Sequence, residues 1–366
     1  WLGSFVKDLR DPNTSVAEGA RRLWAARCAP LEPALHDIDN LVVIPTGPTA
    51  GIPLECLIDA DGVTLGERFA ISYIPSSTVF AWLTERSHER THWKGALLMG
   101  DPPFSDDDLE EDEEMHGAGA DQTTGTRSSD QSPVRAPAEE RGSLTDLTPL
   151  IGTREEVAAI DSVLEDATCL LGAAASEQAI VQRIESGELL QYDVIHFATH
   201  AIVDHRQPER SALVLSRARL PDAMKAATQG ERIIDGLLTA KEVLREWHIN
   251  ADLVTLSACE SGLGKEVGGE GTVGFAHAFF QAGARSVLVS LWRVDDSATS
   301  LLMRRFYENV TGAYRDKRAG RVGVPMPKAE ALSEAKSYVR GYRNRAGRFQ
   351  YAHPSFWSPF ILIGSR

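Results

Sequence analysis

Leu253-Val254-Thr255-Leu256-Ser257-Ala258-Cys259-Glu260-Ser261-Gly262, together with the upstream stretch Asp193-Val194-Ile195-His196-Phe197-Ala198-Thr199-His200, decides how the chain is read. Each stretch opens as a short apolar, β-branched run of the kind buried on both faces of a parallel sheet, and each ends at a reactive side chain followed by a loop. In an open α/β sheet the carboxyl ends of neighbouring strands converge on one crevice, which brings His200 and Cys259 together. That pairing suits a thiol nucleophile with an imidazole base.

Working outward, the same alternation recurs. Leu41–Pro45, Phe69–Pro75 and Ala96–Asp101 are apolar runs closed by Pro, Gly or Asp, and they read as strands. Further strands are expected at Thr168–Leu171, Ser286–Leu291 and Phe360–Ile363, with a hairpin arm at Ser211–Ser216. Helical patterning predicts helices over residues 153–160, 177–185, 273–282, 296–309 and 328–340, and Thr239-Ala240-Lys241-Glu242 has the spacing of a capping box. Residues 1–40 read as a helical lead-in, with helical spacing from Ser15 to His36 broken near Pro30. No internal repeat is visible. The sum is an α/β fold with a mostly parallel sheet and helices on both faces.

From about 105 to 147 the chain turns to Asp, Glu, Gly, Ser, Thr, Gln and Pro, too polar to offset its own ordering entropy, so a disordered acidic insertion is expected there. Eight acidic residues between Asp106 and Glu114 carry much of the net charge of -14. That balance argues against nucleic acid or an anionic membrane as the main partner. Four scattered cysteines and no apolar run of spanning length point to a reducing cytoplasm rather than a disulfide framework or a membrane. The chain opens at Trp1 without an initiator Met, which fits a piece of a longer polypeptide.

A free thiol is mostly protonated at neutral pH, so a nucleophilic cysteine needs a nearby imidazole or positive dipole, and His200 is the candidate. Ser257, Ala258, Ser261, Gly262 and Gly264 leave backbone amides near Cys259 accessible to an oxyanion. The plain alternative is packing, since free cysteine is often buried; Cys28, Cys56 and Cys169 lack the flanking context and read as inert. His200, His205 and Cys259 lack any recognised zinc-ligand spacing, so no metal and no cofactor is expected. Gly262-Leu263-Gly264-Lys265-Glu266 fails as a phosphate loop because a Walker motif needs Gly at 259 and Ser or Thr at 266. His196 and His277 read as core histidines.

These residues resemble the CHAT family, caspase-like domains often attached to tetratricopeptide repeats within the caspase, separase and gingipain group of cysteine peptidases. The likeness runs through Val43-Ile44-Pro45, Ile52-Pro53-Leu54-Glu55, Tyr73-Ile74-Pro75-Ser76, the His200 and Cys259 stretches, Glu270-Gly271, Phe279 to Val287, Ser290 to Asp296 and His353 to Phe360. The resemblance implies a caspase-like three-layer α/β/α sandwich over 41–366 and a cysteine endopeptidase with a His200/Cys259 dyad. A catalytically silent scaffold for protein–protein contact is the alternative. The resemblance also places the backbone amides of Cys259 and Ala201 in an oxyanion hole; Ala201 stands where the family usually has Gly, and a positive φ there would be strained. Metacaspases put an Asp two residues before the cysteine to bind a basic side chain, and this chain has Ser257 there. Basic specificity would need Asp204, Asp295 or Asp296; polar or apolar specificity is equally open. The implied partners are a protein substrate and a regulatory domain, such as tetratricopeptide repeats, outside this chain.

Overall fold

Aliphatic and β-branched runs pair into one large sheet in the computed structural model, which describes residues 1–49, 51–85, 93–109, 147–204, 207–257, 259–260, 270–313, 315–316 and 321–365. The strands are β1 (Asn40–Val43), β2 (Ala70–Tyr73), β3 (Ala96–Gly100), β4 (Ala167–Leu171), β5 (Val194–Ala198), β6 (His200–Ile202) and β7 (Ala212–Val214). Then follow β8 (Leu237–Thr239), β9 (Leu253–Leu256), β10 (Cys259–Glu260), β11 (Ser286–Ser290), β12 (Arg315–Asp316), β13 (Arg321–Val322) and β14 (Phe360–Gly364). The main sheet runs β1-β2-β14-β11-β9-β5-β3-β4, and a second sheet runs β10-β6-β7-β8. Among the described residues every neighbouring pair of the main sheet is parallel except β11 with β14. The closing strand thus inserts in the middle of the sheet, against the direction of β11. β12 and β13 form a separate antiparallel ladder.

Helices α1 (Leu2–Arg10), α2 (Ala17–Arg27), α3 (Leu65–Arg68), α4 (Ser77–Glu85), α5 (Ile151–Asp161) and α6 (Glu177–Ser186) precede β5. After it come α7 (Ala223–Gln229), α8 (Ala240–Glu246), α9 (Glu270–Ala282), α10 (Asp296–Thr311) and α11 (Lys328–Arg340). Thr239 caps α8 as its spacing predicts: Glu242 returns its carboxylate to the Thr239 amide at 2.8 Å. α1 and α2 lie within the segment read as a helical lead-in, and Phe5, Val6 and Leu9 of α1 join the core shared by the rest of the chain. Among the described residues no helix is long and apolar enough to cross a membrane.

Two consecutive residues of β5 show why the strand is buried throughout. Successive strand side chains point to opposite faces. On one face His196 meets α5 and α10: Nε2 lies 3.0 Å from Glu156 Oε1 and Nδ1 lies 3.1 Å from the Tyr307 hydroxyl. On the other face the Phe197 ring packs on Trp247 and on Phe279 of α9, both with centroids 6.3 Å away. Helices therefore cover both faces of the sheet. His196 is a core histidine, as expected. His277 is not: α9 buries Phe275, Ala276, Ala278, Phe279 and Phe280, which turns His277 to solvent beside Gln281, one turn further on.

Tyr307 also bonds Thr255 Oγ1 at 2.9 Å, so its hydroxyl ties β5 to β9 beneath α10. Burial pushes this phenol well above its ordinary pKa, which keeps it neutral. Tyr307→Phe leaves buried polar atoms on both strands without that partner. The expected cost is about 1–3 kcal/mol, read as a shift in the urea unfolding midpoint.

Candidate active site

β5 and β9 are parallel neighbours, with Phe197 paired to Leu256 at their carboxyl ends. Both strands leave the main sheet at that point and pair again in the second sheet. There β6 and β10 are parallel, and Cys259 stands opposite His200 in backbone register. Adjacent strands lie about 4.8 Å apart. The two sequence candidates are thus brought side by side, although they belong to a different sheet from the strands that lead to them.

His200 is 4% exposed and held from two directions. Its Nε2 lies 2.9 Å from the Thr148 carbonyl oxygen, which can only accept, so Nε2 carries the proton. Nδ1 then holds the lone pair, and it is buried with no hydrogen-bond partner among the described residues. Phe104 stacks obliquely on the ring at 4.9 Å. Burial is the main influence on the imidazole and lowers its pKa below the ordinary 6.5; the Thr148 carbonyl opposes that, Arg293 adds to it, and Asp296 opposes it. The ring is therefore neutral at pH 7.

Thr148, Phe104 and Arg293 carry no sequence signal for this role. A backbone carbonyl is the same in every residue, so only the fold reveals which one reaches the ring. The turn after β3 and the start of α5 fix this one. Gly100 lets α5 approach β3, since a Cβ there would lie 2.8 Å from Val157 Cγ2 and 3.1 Å from the Thr153 carbonyl oxygen. The Asp101 amide donates to Thr153 Oγ1 at 2.9 Å, and that hydroxyl donates to the Leu150 carbonyl at 2.7 Å. Asp101 has φ of 53° and pairs with Arg154 at 2.6 Å. This network anchors the segment that presents the Thr148 carbonyl.

The remaining candidates are dispersed around the pair. Ser257 is 8% exposed, and its Oγ has no partner among the described residues. Ala201 lies within β6 and is not among the residues of positive φ, so the strain anticipated for a non-glycine residue is not present. Asp204 Oδ1 accepts from the Gln207 amide at 2.9 Å, and Asp295 Oδ1 caps α10 through the Ala298 amide at 3.0 Å. Asp296 interacts with His200 and Arg293; its carboxyl is raised mainly by desolvation, with Arg293 opposing.

Cys28 and Cys56 are buried free thiols, and Cys169 is an exposed one on β4. Burial pushes the Cys169 thiol up to about 11, with Asp161 adding to it, so it stays protonated. At the start of the expected insertion, Phe104 and Leu109 are buried and Asp108 Oδ2 accepts from the Phe104 amide at 3.0 Å. Residues 110–146, His205 and residues 261–269 of the glycine-rich stretch lie outside the described residues. Gly271 and Gly274 fall inside α9.

A family model described as the CHAT domain matches residues 17–365. The chain belongs to the CHAT domain family. This CHAT domain is 28% identical over 236 residues to human tetratricopeptide repeat protein 28, and equally so to the mouse protein; the match takes in 58% of this chain and 8% of each relative. The chain thus spans less than a tenth of the length of those curated relatives. Among solved structures it is similar to the Saccharomyces cerevisiae separase–securin complex, with TM-score 0.41, 12% identity, and coverage of 86% of this chain and 15% of that one. It is also similar to the Arg specific cysteine proteinase gingipain R, with TM-score 0.47, 10% identity, and coverage of 99% and 72%.

Proposed function

We propose that this CHAT domain is a cysteine endopeptidase that hydrolyses peptide bonds of protein substrates through Cys259 and His200. One observation carries the reading: a buried, neutral imidazole whose Nδ1 has no partner among the described residues stands in register with Cys259. In the proposed reaction Nδ1 takes the thiol proton as the sulfur attacks the substrate carbonyl carbon. The backbone amides of Cys259 and Ala201 receive the developing oxyanion. The imidazolium then returns the proton to the leaving amine, which frees the amine and leaves a thioester. Water attacks the thioester, giving up a proton to Nδ1; collapse releases the carboxylic acid and restores the thiol. Thr148 keeps the imidazole in the tautomer that this cycle requires.

We further propose that the domain acts in the cytoplasm, beside tetratricopeptide repeats in the same or another polypeptide, as the names of its curated relatives suggest. Those relatives also favour a second reading, a silent scaffold for protein contact. Alkylation by iodoacetamide, mapped by mass spectrometry, separates the two. Under the peptidase reading Cys259 reacts at neutral pH at least tenfold faster than Cys169, and His200→Ala removes the difference. Equal reactivity favours the scaffold.

The direction of the His200 shift sets the pH dependence. Protonation of Nδ1 removes the base, and because the folded-state pKa lies below 6.5, the acid limb of kcat/KM is expected below pH 6.5. The unfolded chain binds this proton more readily, so the stability linked to a neutral His200 is complete above pH 6.5 and is lost as pH falls through the lower folded value. A limb centred above 6.5 would assign the titration to another group.

A further inference from the structure

We propose that a cavity beside His200 is the substrate subsite for the residue whose carbonyl is attacked, and that it selects an uncharged, apolar side chain. The inference rests on the peptidase reading and adds the substrate class to it. The cavity lies where the main sheet passes into the second one. It is lined by Ala201, which follows His200, and by Leu256, which precedes Ser257, so both of its chain borders lead into the candidate pair.

Its empty volume is about 370 Å³, part of it open to solvent. Ile202, Val203, Leu213, Val289 and Phe275 make most of the remaining lining apolar. The two hydroxyls that line it are engaged by the protein itself: Ser211 Oγ accepts from the Asp204 amide at 3.0 Å, and Ser290 Oγ donates to the Trp292 carbonyl at 2.7 Å. Among the described residues no carboxylate lines the cavity. In the proposed binding mode the residue whose carbonyl is attacked lays its side chain along β6, where Ala201 to Val203 line the cavity.

Charge decides what it accepts. Among the described lining residues a lysine or arginine side chain inserted there would leave water without a counter-ion, and a carboxylate would do so without a charged donor. Asp204 and Asp295 spend carboxylate oxygens on backbone amides, and Asp296, which interacts with Arg293 and His200, is not one of the lining residues. A leucine- or methionine-like side chain loses only its contact with water and gains contact with the wall. Half-exposed Ile202 and Val203 mark the open side of the cavity.

The experiment uses the full chain carrying Cys259→Ala, which removes the chemistry, and fluorescent hexapeptides with one fixed central residue and the other positions randomised. Leucine and methionine pools are expected to bind at least tenfold more tightly than the arginine or glutamate pools. Val203→Asp, at a half-exposed position, should move the preference toward arginine, and Ala212→Leu should erase the leucine preference by filling the space. With the active chain, kcat/KM should follow the same order, by a factor on the order of 100. Equal binding of all pools, or tightest binding of arginine, overturns the subsite. Selective binding of apolar pools without cleavage by the active chain retires the peptidase reading and, with it, the cavity's place beside an attacked carbonyl, and leaves only its apolar selectivity.

Discussion

Cys259→Ala is expected to abolish cleavage of every protein that the intact chain cuts, lowering the rate by a factor of about 10³ or more. The size follows from the role: without sulfur there is no covalent step, and the imidazole of His200 has no proton to take. His200→Ala should cost about as much, and the double variant little more, because the two groups act as one unit. Cys169→Ala supplies the control, since its thiol is raised to about 11 and sits on β4, at the opposite edge of the main sheet from β1. The measurement is the appearance of new protein N-termini in lysate. Cleavage undiminished in the Cys259 variant would place the activity outside this site.

Lys336→Ala is expected to be the most damaging single change to stability, at about 3–5 kcal/mol in urea unfolding. Lys336 Nζ lies 2.5 Å from Glu55 Oε1, with side chains 5% and 4% exposed. The second oxygen of Glu55 accepts from the Tyr73 hydroxyl at 2.6 Å, and the Tyr73 hydroxyl oxygen in turn accepts from the Leu54 amide at 2.8 Å. Tyr73 is held well above its ordinary pKa, mainly by burial and then by the charge of Glu55, so it remains a donor. Removing the ammonium leaves a carboxylate buried among groups that cannot replace its charge. Lys336→Met combined with Glu55→Gln should recover a large part of the loss, because an absent charge needs no partner. If Lys336→Ala unfolds at the wild-type midpoint, the pair contributes nothing.

Most strand and helix positions could be read from local pattern. The runs at 96–100, 194–198, 253–256 and 286–290 are apolar because both faces of each strand are covered, and α11 spans the residues that its periodicity indicates. Where the reading failed, long-range packing was responsible. His277 lies on a helix whose buried stripe is set by contact with the sheet, and the paired polar positions His277 and Gln281 were the available sign that this face meets water. Nothing local indicates that β14 inserts antiparallel to β11, because strand order depends on which edges remain free after the earlier strands have paired.

His200 and Cys259 were legible because each follows an apolar run that can only be a buried strand. Their adjacency followed from a rule about parallel sheets, but the means differed: the residues meet in β6 and β10 of a second sheet. The partners that set the state of His200 were invisible beforehand. The Thr148 carbonyl, the Phe104 ring and Arg293 come from distant parts of the chain and act through position, not residue type. The same holds for the cavity, whose lining joins β6, β7, β9, β11 and α9.

By itself, the amino-acid sequence determined the elements, the α/β class and the two candidate side chains, because hydrophobic period and chemical identity are local properties of a chain. Only the tertiary structure decided the strand order, the tautomer and neutrality of His200 and the apolar lining that the described residues give the neighbouring cavity. Those depend on which groups lose water together, and that is settled by residues far apart in the chain.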